Sequence, residues 1–156
     1  MAGILQRAYW SAYLFWQLRQ QRAIPYLPPE ALAARRDHNL RRMVAYAYRW
    51  VPYYRETLNR LGLTPDDVQT AADLRKLPFI TVTDLQERPG AFRSTQFCAA
   101  DLLRVGSGGS TGEPHYVWHD KAALFQSASH SQRDLAIVNR LIARHGPYRE
   151  VGLASP

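Results

Sequence analysis

Cysteine is almost absent from this sequence of 156 residues, where Cys98 stands alone. A single cysteine excludes an internal disulfide and suits a reducing compartment, so we expect a cytoplasmic protein. Nothing near Cys98 predicts activation of its thiol, and we interpret it as a small, buried apolar residue. Long apolar runs are also missing, and none approaches the length of a membrane span. Because Arg7, Gln17 and Arg19 interrupt the apolar N-terminal stretch, we expect no secretory signal.

Acidic residues are scarce beside basic ones. The sequence has 13 aspartates and glutamates against 20 lysines and arginines, a formal net charge of +7. A basic chain suits nucleic acid or an anionic membrane, but no helix-turn-helix, zinc-finger or RNA-binding signature accompanies the charge. We therefore do not favour nucleic-acid binding. We interpret the charge as a solvated basic surface, or as a face that contacts other parts of a larger protein.

Apolar residues spaced three and four apart predict a helix over residues 4–22. Arg19 and Arg22 suit its C-terminal end. Such a basic, aromatic-rich helix can lie on a membrane surface or pack against the rest of its own protein. Both alternatives stay open, and we favour packing. The residues of its apolar face are Ile4, Leu5, Ala8, Tyr9, Ala12, Phe15 and Trp16.

Two further helices are predicted in the first half of the chain. Apolar periodicity covers residues 30–50, and a shorter helix over 53–61 ends at Gly62, a natural left-handed cap. The Val-Pro-Tyr-Tyr junction at 51–54 can offer rings to a nucleotide base, but we interpret it as a packing corner. Thr64, followed by proline and two acids, predicts a helix start.

Later helix starts are marked by capping residues. Thr83 and Gln86, three apart, match a capping box. Asp120 predicts the cap of a long helix over 121–144, whose apolar residues are consistent with one buried face. Two apolar runs between these helices predict strands joined by a loop. The fold class is therefore α/β and α-rich: N-terminal helices followed by a β-loop-β-α segment.

The loop between the two predicted strands is the segment that carries chemistry. Four glycines and three hydroxyl side chains fall within residues 106–112. Glycines let the backbone approach a ligand closely, and successive N–H groups form a nest for an anion. We therefore predict a polyphosphate site, with Thr111 as its best single contact because its hydroxyl and N–H can both face the anion. The predicted phosphate-binding residues are Ser107, Gly108, Gly109, Ser110, Thr111 and Gly112.

Other interpretations of this region fit less well. A Walker A loop requires lysine where this chain has Glu113, and a dinucleotide fingerprint requires glycine where it has Thr111. A plain hairpin turn is the structural alternative, but two to five residues would serve it. His115 and His119 point to the same face of a strand, yet a third ligand is not evident. We predict no metal site and nominate no catalytic residue.

The loop Ser107-Gly-Gly-Ser-Thr-Gly-Glu-Pro114 resembles the phosphate loop of adenylate-forming enzymes, usually written [ST]-[SG]-G-[ST]-T-G-[KE]-P. A second segment is similar to the N-terminal region of the phenylacetate–CoA ligase and capsule-biosynthesis branch of that superfamily. It runs Ala47-Tyr-Arg-Trp-Val-Pro-Tyr-Tyr-Arg55, then Gly62-Leu63, then Asp73-Leu-Arg-Lys-Leu-Pro-Phe79. The resemblance covers most of the chain from about residue 30 onward.

This resemblance implies an incomplete enzyme. Residues 1–29 would be an N-terminal helix and proline linker, and residues 30–156 a partial N-terminal domain truncated at its C-terminal end. A complete enzyme would use Mg²⁺ and ATP to convert a carboxylic acid to an acyl-adenylate, then transfer the acyl group to CoA or another acceptor. The residues here would bind the phosphates and be inactive alone. The alternative is a basic helical interaction module that binds a partner protein, an anionic membrane or nucleic acid.

Overall fold

The computed structural model describes residues 2–106 and 116–141, and within these residues it is rich in helix, with one small antiparallel sheet. The predicted class, α/β and α-rich, is confirmed. No helix in this part of the chain is long and apolar enough to cross a membrane. The helices are α1 (Ala2–Ala23), α2 (Pro29–Trp50), α3 (Pro52–Arg60), α4 (Val82–Glu87) and α5 (Lys121–Leu141); the strands are β1 (Leu103–Gly106) and β2 (Tyr116–His119).

The described residues form two compact units, and the first combines residues 2–23 with 125–141. It contains α1 and most of α5. The ring of Trp10 stacks on that of Phe125, with centroids 5.2 Å apart and planes 21° from parallel. This pair joins the two helices by burying large apolar surfaces against each other.

The apolar face predicted to be buried along α5 is largely exposed, so that prediction is wrong. Val138 is 42% exposed and Leu141 is 79% exposed, whereas Ser129 is fully buried. The Ser129 hydroxyl donates to the carbonyl of Gln126 at 2.7 Å, which satisfies its polar atom inside the contact. The fully buried residue of this helix is thus a small polar one, so apolar periodicity alone does not identify the packed side. The end predicted for this helix, 142–144, lies outside the described residues.

The second unit, residues 24–124, has its core where α2 and α3 pack against the turns that follow them. Tyr48, Leu63 and Leu77 cover this core from the side. Met43, placed by periodicity in the apolar stripe of α2, is 62% exposed. The four buried core residues are Leu40, Val44, Leu58 and Val68.

The helix boundaries in this unit follow the backbone chemistry of proline and glycine, and the predicted ends are confirmed. Helix α2 ends as the amide of Val51 donates to the carbonyl of Ala47 at 2.9 Å, and Pro52 then begins α3. Helix α3 is followed by Gly62 at φ +66°, a left-handed conformation that glycine adopts without a Cβ penalty. This cap turns the chain back toward the core.

Three short helical segments begin with the same hydrogen-bonded box. In each, a threonine amide and hydroxyl both donate to an aspartate carboxylate three residues later. The predicted start at Thr64 is confirmed. The boxes are Thr64 with Asp67, Thr70 with Asp73, and Thr81 with Asp84.

The capping box predicted from Thr83 and Gln86 is wrong, because α4 begins two residues earlier. Thr81 is its N-cap and accepts from the amide of Asp84 at 3.2 Å. Asp84 offers a full negative charge at the positive end of the helix, which the neutral amide of Gln86 lacks. The charged acceptor therefore fixes the start of the helix.

The hydrogen bonds of these boxes favour the ionised carboxylates. The pKa of Asp73 lies well below its ordinary value, first because Lys76 bonds its carboxylate and then because Thr70 does. Donation by the amide and hydroxyl of Thr64 lowers the pKa of Asp67. Bonds from Thr81 similarly lower that of Asp84. All three aspartates are negatively charged at neutral pH.

Cys98 is exposed, which contradicts its interpretation as a buried apolar residue. It directly precedes the short turn Ala99–Asp101, whose residues are also exposed. The segment runs along the surface toward β1, so no packed layer covers the thiol.

Candidate functional site

The candidate loop is held by an antiparallel hairpin. β1 and β2 pair in the register Leu103 with His119, Val105 with Val117, and Gly106 with Tyr116. The predicted strand on each side of the loop is therefore confirmed. Residues 107–115 join the two paired ends, whose Cα atoms lie about 5 Å apart as cross-strand partners. The hairpin fixes where the glycine-rich segment leaves the sheet and where it returns.

An arginine and a tyrosine pack beside the mouth of this segment. The guanidinium carbon of Arg104 lies 4.2 Å from the ring centroid of Tyr116, a cation–π contact. The same ring covers Gly106, where an added Cβ would lie 2.9 Å from Tyr116 Cε1. Only glycine fits under the ring without displacement. The arrangement therefore places a permanent positive charge three residues before Ser107.

A cleft of about 370 Å³ lies in the second unit next to β2. Its walls are mainly aromatic and apolar, with Arg93, Ser94 and Asp120 adding polar groups at the edge. Tyr116 belongs both to this wall and to the mouth of the hairpin. The apolar lining includes Tyr46, Phe92, Phe97, Leu102, Tyr116 and Trp118.

Contacts between distant parts of the chain shape the cleft. The hydroxyls of Tyr46 and Ser94 are hydrogen-bonded at 2.7 Å across 48 positions of sequence. The amide and hydroxyl of Thr95 both donate to the carbonyl of Trp50, at 2.7 and 2.9 Å. These bonds fasten the irregular segment before β1 to the C-terminal end of α2. No local pattern in the sequence predicts such long-range pairing.

Asp120 lies at the edge of the cleft but has a structural role. One of its carboxylate oxygens accepts from the amide of Ala123 at 2.6 Å, and this bond caps α5. The predicted cap is thereby confirmed. The carboxylate of Asp120 is therefore engaged in capping the helix.

A second cleft, of about 430 Å³, lies between the aromatic corner and the segment before α4. The ring of Tyr53 stacks on Phe92 with centroids 4.1 Å apart, and Tyr54 meets the same ring edge-on. Burial, and secondarily Tyr53, raises the pKa of Tyr54 above its ordinary value. The packing corner predicted at 51–54 is confirmed. Phe79, on the rim of this cleft, is 97% exposed.

The predicted phosphate-binding residues themselves, Ser107 to Gly112, lie outside the described residues, as do Glu113 and His115. His119 pairs with Leu103 at the far end of the hairpin. Among residues 2–106 and 116–141, no group of three histidine, cysteine, aspartate or glutamate side chains could hold a metal ion.

Arg104 lies outside the predicted phosphate-binding residues, although the sequence carries a signal for it. Strand alternation places Arg104 on the same face as Gly106, the last residue of β1 before the loop. The aromatic cleft had no comparable signal, because its walls come from α2, the segment after α4, and β2.

No family model matches the chain. Among curated proteins, the chain is 36% identical over 113 residues to the phenylacetate–coenzyme A ligase of Thermus thermophilus, a match that covers 70% of this chain and 25% of that protein. It is 35% identical over 89 residues to the enzyme of the same name from Aromatoleum evansii, and 33% identical over 89 residues to that from Escherichia coli. Each of these two matches covers 56% of this chain and 20% of the relative. The chain therefore matches about a quarter, or less, of the length of these relatives.

Proposed function

We propose, from the premise that this chain is phenylacetate–coenzyme A ligase-like, that it is a portion of an ATP-dependent, AMP-forming acid–thiol ligase. The similarity extends over more than half of the chain in each of the three matches described. The match covers only a quarter or less of each relative. The complete activity would therefore require a longer chain than these residues form. We assign residues 1–29 to an N-terminal helix and proline linker, and residues 30–156 to a partial N-terminal domain of such a ligase.

In this proposal, the chain contributes the phosphate-binding loop to the ligase. Ser107, Ser110 and Thr111 would donate hydroxyl hydrogen bonds to the β- and γ-phosphates of ATP, and the backbone amides from 107 to 112 would form the nest around them. The hairpin supports this role, since paired strand ends at Gly106 and Tyr116 anchor both ends of the segment. Arg104 adds positive charge on the approach to the loop.

In the complete enzyme, a substrate carboxylate would attack the α-phosphate of ATP, and pyrophosphate would leave. The acyl group would then pass from the acyl-adenylate to the thiol of coenzyme A or to another acceptor. Negative charge accumulates on the departing pyrophosphate, and preorganised donors aimed at it lower the barrier. The loop residues would supply those donors. The described side chains form no cluster that fits Mg²⁺, so we assign this ion no protein ligand and no step.

The single observation that carries the proposal is the β1–β2 hairpin, which brackets a glycine- and hydroxyl-rich segment in a chain similar to these ligases. A nine-residue connection between directly paired residues exceeds the two to five residues of ordinary hairpin loops. In the proposed site, successive backbone amides of this segment would form the nest that an anion occupies.

Competition of ATP against a fluorescent ATP analogue tests the proposal. The wild-type chain is expected to bind weakly, because much of the nucleotide site of a complete ligase lies beyond it. Ser110→Ala combined with Thr111→Ala is expected to weaken binding about tenfold or more, since a hydrogen bond to a charged group contributes about 1.5–3 kcal/mol. The matched control, Thr83→Ala combined with Ser127→Ala, removes two exposed hydroxyls elsewhere. Equal affinities for the two double variants would contradict the proposal.

A further inference from the structure

The first helix packs a side of mixed polar and apolar residues and leaves a second side, which carries large apolar residues, exposed to solvent. Gln17 and Gln21, on the side toward α5, are only 9% and 5% exposed. The amide of Gln17 donates to the hydroxyl of Tyr13 at 2.9 Å, and Arg133 Nη1 donates to Gln21 Oε1 at 3.0 Å. Buried polar atoms are thus paired within the unit. Hydrogen bonding, together with the Trp10 ring contact, fixes the orientation of the helix.

The opposite side of α1 carries large apolar residues that contact no core. Their spacing of three, four and seven positions places them on one arc of the helix. Ala8 and Ala12 lie between them and are also exposed. We call this surface the outer face of α1. Its large members, with their exposed fractions, are Ile4 at 74%, Leu5 at 73%, Tyr9 at 62%, Phe15 at 68% and Trp16 at 52%.

The charge of this unit is strongly one-sided. Helix α1 contains no aspartate or glutamate. The described residues of the unit, 2–23 and 125–141, hold five arginines and one aspartate, a net charge of +4 from five minus one. Arg19 continues the outer face one turn beyond Phe15 and Trp16. The five arginines are Arg7, Arg19, Arg22, Arg133 and Arg140.

We propose that the outer face of α1 binds an anionic membrane surface, with the helix lying in the plane of the interface. Aliphatic side chains would enter the region between headgroups and acyl chains, and Tyr9 and Trp16 have the amphipathic rings enriched at that depth. Arginine side chains can extend from an apolar face to reach lipid phosphates. Each basic residue near an anionic membrane surface adds to the attraction.

Charge decides between this occupant and a second copy of the chain. Two outer faces meeting each other would bring two units of net charge +4 together, with no acidic residue in either α1 to offset the repulsion. An anionic lipid surface complements the same charge. The inference goes beyond the proposed ligase function and does not depend on it.

Co-sedimentation of the full chain with lipid vesicles tests the proposal. We expect binding to vesicles of phosphatidylcholine mixed with phosphatidylglycerol, and much weaker binding to phosphatidylcholine alone. Phe15→Gln combined with Trp16→Gln is expected to lower the partition constant at least roughly tenfold, because two exposed rings no longer enter the interface. Phe79→Gln is the matched control, since Phe79 is an exposed aromatic residue outside the first unit.

Two double variants that remove arginine charges test whether binding is specific to the outer face of α1. Arg19→Gln with Arg22→Gln is expected to weaken binding several-fold more than Arg35→Gln with Arg42→Gln, which removes two exposed charges from α2. Circular dichroism checks that the helix content of each variant is unchanged. Equal losses in both pairs, equal losses in the two aromatic variants, or no binding of wild type to anionic vesicles would each overturn the proposal. So would a dimer in sedimentation equilibrium that Phe15→Gln with Trp16→Gln dissociates.

Discussion

At the scale of single residues, Gly106 is tightly constrained by its neighbour Tyr116. A Cβ added to Gly106 would lie 2.9 Å from Tyr116 Cε1, and the guanidinium carbon of Arg104 lies 4.2 Å from the centroid of the same ring. A methyl group at position 106 would overlap the ring, so tyrosine must move and loosen its contact with the guanidinium. Side-chain packing, rather than backbone conformation, explains the glycine here.

Gly106→Ala is therefore expected to destabilise the second unit. Displacing Tyr116 and weakening its cation–π contact would cost about 1 kcal/mol in the free energy of unfolding. Gly90→Ala is the control, because a Cβ there meets nothing within 4 Å; its effect is expected to be neutral or slightly stabilising through the unfolded chain. Urea denaturation of both variants measures the difference. Equal stability of the two would contradict the packing described for Tyr116.

Exposure of individual residues was the least predictable property of the sequence. Periodicity placed Met43 in an apolar stripe and composition placed Cys98 in the interior, yet both are exposed. A local pattern reports which residues share a face of a helix. Whether that face is covered depends on segments far away in the chain, such as the one that brings Ser94 to Tyr46.

At the scale of secondary-structure elements, the sequence predicted most boundaries because their causes are local. Val51-Pro52 separates α2 from α3, Gly62 follows α3, and Asp120 caps α5. The start of α4 is ambiguous in the sequence because two threonines, Thr81 and Thr83, are each followed three residues later by a polar side chain that can complete a capping box. The carboxylate of Asp84 resolves that ambiguity in favour of Thr81.

Separate substitution of Thr81 and Thr83 tests directly which of them caps α4. Thr81→Ala removes the hydroxyl that accepts from the Asp84 amide and donates to its carboxylate, so it is expected to cost about 1 kcal/mol of stability. Thr83→Ala is expected to change the stability by less than about 0.5 kcal/mol, because it lies within the helix and is exposed. Chemical denaturation supplies the measurement. A larger cost at Thr83 than at Thr81 would restore the capping box expected from the sequence.

The capping aspartates also predict how stability varies with pH. Lys76 and Thr70 depress the pKa of folded Asp73 below its ordinary value of 3.8. A carboxylate whose pKa is lower in the folded state than in the unfolded state stabilises the fold. This stabilisation is complete above the pKa of the unfolded state, and it is lost as the pH falls through the pKa of the folded state. Between about pH 5 and pH 2, stability is therefore expected to fall less steeply in Asp73→Asn than in wild type. Asp66→Asn, outside the three boxes, is the control; an unchanged slope in Asp73→Asn would contradict the interpretation.

At the scale of the whole molecule, the fold class and the ligase resemblance were both predictable, while the surface of the first unit was not. The resemblance inferred from the loop motif and the Val-Pro-Tyr-Tyr segment agrees with the similarity to phenylacetate–coenzyme A ligases at 33–36% identity. The outward orientation of the apolar side of α1 depends on how Gln21 and Trp10 meet α5. That contact joins residues over 100 positions apart, and no short pattern encodes it.

The chain alone is expected to release no pyrophosphate from ATP when offered a panel of aryl and fatty acids. Binding a triphosphate tail does not by itself align a carboxylate with the α-phosphate, and misalignment removes most of the rate enhancement. A coupled pyrophosphate assay measures this, with a phenylacetate–coenzyme A ligase as the positive control. Robust acid-dependent turnover by the 156 residues would show that the chain is a sufficient catalyst.

The central claim is that the segment from Ser107 to Gly112 holds phosphate groups. The most direct measurement is a titration of the ¹⁵N-labelled chain with inorganic pyrophosphate, followed by the amide resonances of the backbone. The largest shifts are expected at residues 107–112, saturating in the range of about 1–10 mM, and Thr111→Ala is expected to reduce them. Unchanged resonances at 107–112, with shifts confined to the arginine-rich surface of α2, would contradict the claim.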